Sequence, residues 1–433
     1  MRVVDRVESV LVDGSSERGV VERTIVLVCT LYCLLLITLP STYGASVAWL
    51  IALLGAVRGT VWRGFYGRYR LALWGMVALV LVNALVARFP AKVVPGAGEL
   101  IRSVSFMLPA IYVMQYCHRQ VTVRALKALV GLIVVGCIAI YAFHVGSADV
   151  TSAIYSWSLS HVGNVHNLVN MAAMALLALV VLAVFEQEPR QRAVLFAMLA
   201  FMLWFLVVLE SEGAFLALLI TACAWGTVRF TGGLRMLSAL GVAAGVFAYV
   251  LLMVWLQTEG VVPGASPGSF EIRALINARL LELVAAQPWF GYGINSFKYV
   301  TETAVDGVMY IHPHQIYLEA LFSFGVIGCF LLAAVLWGFF RLSSQRMILS
   351  EPLPMLGFLA AVYMAGKGLS DMKLMSVQPL AIFMLGAGLM ARTASWGRPA
   401  GNGDLAAGSP RVPVGCGQAM TISRSTVAIA RLE

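Results

Sequence analysis

Two histidines flank a proline at His312-Pro313-His314, directly ahead of an apolar run that holds one carboxylate, Glu319. Imidazole ionises near neutral pH, so a histidine there can take a proton from a hydroxyl without special tuning. Pro313 keeps His312 extended and ends any preceding helix, so a new helix begins near His314 or Gln315. Glu319 then lies about one turn below Gln315, at about 1.5 Å per residue, in surroundings where a charge is costly unless paired. It reads as a functional group or as a tether between helices. His312 and His314 also have the makings of half a metal site, but no Cys, His or Asp cluster in the preceding loop completes one, and no metal is expected.

A second group lies upstream in "SFEIRALINARLLELVAAQPWFGYGINSF" (Ser269 to Phe297). Ser269 as cap, Glu271 in the first turn, and apolar Ile272, Leu275, Ile276, Leu280, Leu283 and Val284 predict an amphipathic helix from about Phe270 to Ala286. Pro288 and the glycines of "PWFGYG" stop it, and Trp289, Phe290 and Tyr292 suit a membrane interface, so the helix is expected at the outer membrane surface. Arg273 and Asn277, four apart, share a face; a charged fork beside an amide suits a phosphate or diphosphate. The alternative is an arginine on a solvated face. Arg279 is open to the same two readings, with Glu282 as its structural partner.

The elements that carry these groups follow from the bulk of the chain. With 433 residues, 60% hydrophobic, 12% charged and a mean hydropathy of +0.87, it holds more apolar surface than a soluble core buries. Long apolar runs without the alternation of barrel strands predict an all-α integral membrane protein. About twelve spans are expected, near 24–40, 44–57, 71–89, 101–117, 126–144, 167–185, 193–209, 212–228, 236–256, 314–340, 349–366 and 374–391. Arginines and lysines recur in every second connection, from Arg58/Arg63/Arg68/Arg70 through Arg119/Arg124/Lys127, Arg190/Arg192 and Arg229/Arg235 to Arg341/Arg346, which sets those connections and both termini inside. Arg88, Lys92 and Arg102 break the pattern on the outer side, as an anion-attracting patch or as stray charges.

The expected organisation is a cytoplasmic N-terminus (1–23), nine spans (24–256), a long periplasmic loop (257–313) carrying the amphipathic helix, three spans (314–391) and a disordered cytoplasmic tail (392–433). The first residues lack a signal peptide's basic start and cleavage site, so the first span is an uncleaved insertion signal. The net charge of +9 reports topology and anionic lipid contact, not nucleic-acid binding. The cysteines, without paired spacing, read as apolar fillers.

Here a resemblance enters. "HQIYLEALFSFGVIG" resembles the signature of the O-antigen ligase and polymerase superfamily: His, then Asn, Ser or Gln, nine residues, then Gly-x-x-Gly, matched by His314, Gln315, Gly325 and Gly328. Arg273, Pro288, Gly291 and Gly293 are similar to its upstream arginine followed by Pro and Gly-x-Gly, with Asn277 where a tryptophan is usual, and "GNVHNLVNMAAMALL" resembles the start of an earlier family helix. One departure stands out: Ser211-Glu212-Gly213 occupies the place of a frequent Ser-Arg-Gly, so a second diphosphate arginine cannot be assigned there.

The resemblance implies an architecture like that of the GT-C membrane glycosyltransferases, and an O-antigen ligase in the bacterial inner membrane with its site facing the periplasm. It would move preassembled glycan from undecaprenyl diphosphate to a hydroxyl of lipid A–core, with inversion, no metal and no cofactor. His314 is then the base and Arg273 binds diphosphate, with Arg279, Gln315, His312 and Asn277 as further substrate contacts and Glu319, Asp371 and Glu212 as supporting groups. His166 and Asn167 either meet sugar hydroxyls or cap the next helix. Asp371 either orients a basic partner or pairs locally with a lysine. A polymerase of the same superfamily and a polyprenyl-glycan transporter remain the alternatives; the latter lacks the paired interrupted helices that a transporter would show in matching halves.

Overall fold

The computed structural model describes residues 19–35, 42–56, 60–161, 165–259, 269–300, 315–341, 345–370 and 377–391. The described elements are α1 (19–35), α2 (Thr42–Ala56), α3 (Thr60–Val86), α4 (Pro90–Ser105), α5 (Met107–Tyr116), α6 (Arg119–His144), α7 (Val150–His161) and α8 (Val165–Phe185). The second half holds α9 (Pro189–Val208), α10 (Glu212–Arg229), α11 (Gly232–Glu259), α12 (Ser269–Ala286), α13 (Ile316–Phe340), α14 (Gln345–Ser350), α15 (Pro352–Lys367) and α16 (Val377–Leu389). A short 3-10 turn spans Phe297–Tyr299, and no strand occurs among the described residues. The expected tail, 392–433, lies outside them.

Seven stretches among the described residues are long and apolar enough to cross a membrane, by length and composition: α3, α4 with α5, α6, α8, α9, α11 and α13. The other expected spans also fall on helices, α1, α2, α10, α15 and α16, which do not meet that standard. α8 is the centre of the bundle, with 83% of its apolar window buried against 11% for α11. A helix that is apolar all round must be enclosed by protein or face lipid, and these two are the extremes.

The span expected near 101–117 is two helices, α4 and α5, meeting at Phe106. Pro109 in the first turn of α5 has no N–H to donate to the carbonyl four residues back, which ends the ladder there. The connection after α6 carries a helix of its own, α7.

α3 and α13 run antiparallel in close contact. A Cβ on Gly338 would lie 2.9 Å from Ala72, one on Gly75 would lie 3.0 Å from Val335, and one on Gly328 3.6 Å from Leu79, so small residues let the two backbones approach. Near the other end of the pair, Asn83 of α3 reaches Ser323 of α13.

α13 is not continuous. Gly325 sits at φ 63°, ψ −173°, a left-handed position that interrupts the helix and frees backbone groups on both sides. The chain after α12 fills the break. Tyr292 N and Gly293 N donate to Phe322 O and Ser323 O at 2.7 and 3.0 Å, while Val326 N and Ile327 N donate to Pro288 O and Trp289 O at 2.8 and 3.1 Å. Asn83, buried, donates its Nδ2 to Ser323 O at 2.9 Å and accepts from Ile294 N at 2.7 Å. Of the two glycines that the sequence offers as a small-residue face for helix packing, Gly328 does face α3, and only Gly325 departs from that reading. At Gly325 the partner is a loop, because the helix ladder opens there and only a chain with free N–H and C=O groups can close it. Gly291, at φ 67°, has no room for a Cβ, which would lie 2.7 Å from Gly325 N and 2.9 Å from Phe324 N.

Gly325→Ala and Gly98→Ala are expected to differ in sign. A Cβ on Gly325 would overlap the backbone of Trp289 and Phe290 at a positive φ, whereas Gly98 lies exposed in α4 with nothing within 4 Å. Thermal unfolding in detergent should show Gly325→Ala destabilised by about 2 kcal/mol or more, and Gly98→Ala unchanged or up to about 1 kcal/mol more stable. Asn83→Ala, which orphans the buried N–H of Ile294 and leaves Ser323 O with Gly293 N as its remaining donor, should cost about 1–3 kcal/mol in the same assay. Wild-type stability of Gly325→Ala and Asn83→Ala would contradict the interlock.

Candidate functional site

α12 is seated by its apolar face. Ile276, Leu280, Leu283 and Val284 form one cluster with Tyr292, Phe297, Val300 and Phe322, and Leu318 and Leu321 pack against it. Tyr292 stacks on Phe322 with centroids 4.6 Å apart and planes 7° apart, and Phe297 meets the same ring edge-on at 5.7 Å. The sequence-expected face is thus largely the one used, but it lies against α13 and the following loop. Contact with α13 brings α12 beside the turns that directly follow His314.

The other stripe of α12 also turns inward. Asn277 is 3% exposed and Arg273 is half-buried, so the pair four residues apart does not lie on a solvated surface. Arg279 points elsewhere: its guanidinium pairs with Glu282, and both side chains are well exposed, where such pairs contribute little.

His312, His314 and Asp371 lie outside the described residues. Gln315 is the N-cap of α13, and its Oε1 is buried with no hydrogen-bond partner. Glu319 N donates to Gln315 O at 3.0 Å, and the Glu319 side chain is 1% exposed. α13 begins against the end of α15: Ile316 N donates to Gly368 O at 2.9 Å and Tyr317 Oη to Ala365 O at 2.7 Å.

That junction gathers polar groups from four helices. Lys367, in the last turn of α15, is 1% exposed; one turn earlier Tyr363 donates its hydroxyl to Asn170 of α8 at 3.2 Å. A Cβ on Gly213, in the first turn of α10, would lie 3.1 Å from Lys367 Nζ. Glu212 is exposed on the same turn, after Ser211 as N-cap. His166 and Asn167 stand within a turn of Asn170. The sequence reading set Lys367 with Asp371 and Lys373 in the connection between the last two spans, whereas it is buried in the last turn of α15; it passed over Asn170, Tyr363 and Asn83. The available signal was the type alone, an amide or ammonium inside an apolar helix.

The patch of Arg88, Lys92 and Arg102 divides. Arg102 turns to α2, donating to Ser46 Oγ at 2.8 Å and lying over Trp49, whereas Lys92 sits over Tyr299 at 4.3 Å. Only Lys92 and Arg88, whose N–H donates to Tyr292 O, stay beside the loop after α12.

An apolar cavity of about 680 Å³ opens beside the junction, among α10, α11 and α13 to α16. Tyr317 and Leu369 line it at the Lys367 end; Phe340, Ile348 and Met390 line it toward the opposite end of α13. Away from the junction, Lys127 pairs with Glu186 and donates to Gln191 at 2.7 Å, and Arg119 lies over Phe185, so basic connections expected on one side do meet. The Lys127 ammonium holds the Glu186 carboxyl below the usual carboxylate range.

Among the described residues no group of His, Cys, Asp and Glu gathers at metal-binding geometry. No curated protein sequence matches the chain. Residues 197–333, from within α9 to within α13, match the family model described as O-antigen ligase, and over that stretch the resemblance to the O-antigen ligase and polymerase superfamily, carried by Arg273 to Gly293 and His314 to Gly328, is borne out.

Proposed function

We propose that the protein is an O-antigen ligase of the cytoplasmic membrane. Its substrates are a preassembled glycan on undecaprenyl diphosphate and the lipid A–core acceptor. The acceptor hydroxyl gives its proton to His314 and its oxygen attacks the anomeric carbon from the face opposite the diphosphate. The bond to the diphosphate oxygen breaks, the leaving anion is held by Arg273, and the anomeric configuration inverts. A fixed guanidinium on the leaving anion does the work that a divalent ion does elsewhere, so no metal is required.

The observation that carries this reading is the family match over 197–333, which contains both the arginine helix and His314, two residues before α13 in the sequence. Two features support it. The Arg273 and Asn277 stripe is turned into the protein, and Leu318, four residues after His314 in the sequence, packs against the cluster of Ile276 and Leu280, which bracket Asn277. The apolar cavity reaching Tyr317 suits the hydrocarbon of a polyprenyl carrier whose headgroup lies at the His314 end.

In this reading all twelve apolar helices cross the membrane, including α1, α2, α10, α15 and α16, and the α12 region is periplasmic. The basic connections around Arg119, Lys127 and Arg192 then face the cytoplasm. The same family match supports a polymerase that joins repeat units carrier to carrier.

Deleting the gene in its host separates these readings on a lipopolysaccharide gel. Core without any ladder, with carrier-linked polymer accumulating, is expected; core plus a single repeat unit means a polymerase, and an unchanged ladder removes both. In a reconstituted transfer assay, His314→Ala should lower turnover about 10²- to 10⁴-fold with the protein still folded and inserted. Arg273→Ala should lose about 10²- to 10³-fold and Arg273→Lys less, since lysine keeps the charge but not the fork. Wild-type turnover in His314→Ala, or equal activity of the three forms at position 273, would remove the respective assignment.

A further inference from the structure

The junction of α8, α10, α13 and α15 contains a lysine ammonium almost wholly withdrawn from solvent, 1% exposed at Lys367. Gly213 has no side chain to fill this corner, and Ser370 Oγ and Lys367 Nζ both converge on it. The corner adjoins the start of α13, because Ile316, two residues after His314, donates its N–H to Gly368, the residue after Lys367. Gln315 Oε1, between them in the chain, is buried without a hydrogen-bond partner. Glu212 puts a negative charge on the neighbouring turn of α10, and Glu319 is buried on α13. An anion brought to this end of the bundle therefore meets carboxylates as well as Arg273. A second cation is needed to hold it, and a low-dielectric site makes that cation's field strong.

We propose that Lys367 is a second cation for the donor's diphosphate, acting with Arg273 on the leaving group. The proposal rests on the donor being a polyprenyl diphosphate, as read above. Holding a diphosphate in preference to a monophosphate is the task that a second cation adds, and it is the property that separates this role from a tether to Glu319 or Glu212.

The test measures binding of undecaprenyl diphosphate and of undecaprenyl monophosphate to the full-length protein in nanodiscs, for wild type, Lys367→Met, Lys367→Gln, Lys367→Arg and Arg273→Ala. Thermal unfolding establishes that each variant is folded, and Lys367→Gln serves if Lys367→Met is not. Loss of the charge should weaken diphosphate binding about tenfold or more and monophosphate binding less, with Lys367→Arg close to wild type. A wild-type preference for diphosphate in both neutral variants, with that preference lost in Arg273→Ala, would overturn the role of Lys367 alone. A wild type that binds the two lipids equally would overturn the donor reading and this proposal with it.

Discussion

A helix that opens inside an apolar bundle releases N–H and C=O groups that water cannot reach, and each left unpaired costs more than a single hydrogen bond returns. α13 opens at Gly325, and four backbone bonds from the Pro288 to Gly293 strand of chain close the gap. Everything that follows depends on that closure. It fixes where α12 ends, and so where the Arg273 and Asn277 stripe lies relative to the first turns of α13. It also explains why two glycine patterns far apart in the sequence belong together. A Cβ on Gly291, at φ 67°, would meet the backbone of Phe324 and Gly325, and one on Gly325, at φ 63°, would meet that of Trp289 and Phe290.

Asn83 adds the third element. Its amide bonds both members of the interlock, accepting from Ile294 N and donating to Ser323 O, so the end of α3 holds loop and helix as one body. The polar junction at Lys367 is joined to the same helix by Ile316 and Tyr317. α13 thus links two polar regions about two and a half turns apart, the interlock and the Lys367 corner, at about 5.4 Å per turn. In the proposed reaction, a rigid link of this kind would keep Arg273 in register with the first turns of α13, as leaving-group and nucleophile chemistry requires.

Much of the architecture was legible because apolar length dominates the sequence: each expected span falls on a helix, and α12 begins and ends within a residue of its expected bounds. That Arg273 and Asn277 share a face could be read from four-residue spacing, but not that this face turns inward. The interruption at Gly325 could not, since a glycine in an apolar run reads equally as a packing face, and only the partner loop decides. Asn83 and Asn170 were likewise opaque, because a lone polar residue in a span takes its meaning from helices distant in sequence, as with Tyr363 and Asn170. Pro109 did carry a local signal for the break at Phe106, but apolar continuity outweighed it.

The central claim is that the arginine face of α12 and the start of α13 form one anion-handling site held by the broken helix. A cryo-EM map of the protein in nanodiscs with undecaprenyl diphosphate tests it most directly. The account predicts α13 broken at Gly325 and diphosphate density within hydrogen-bonding reach of Arg273, on the side where the His314 imidazole is presented. A continuous α13, or diphosphate density away from Arg273 with the two side chains on opposite sides of the molecule, would contradict it.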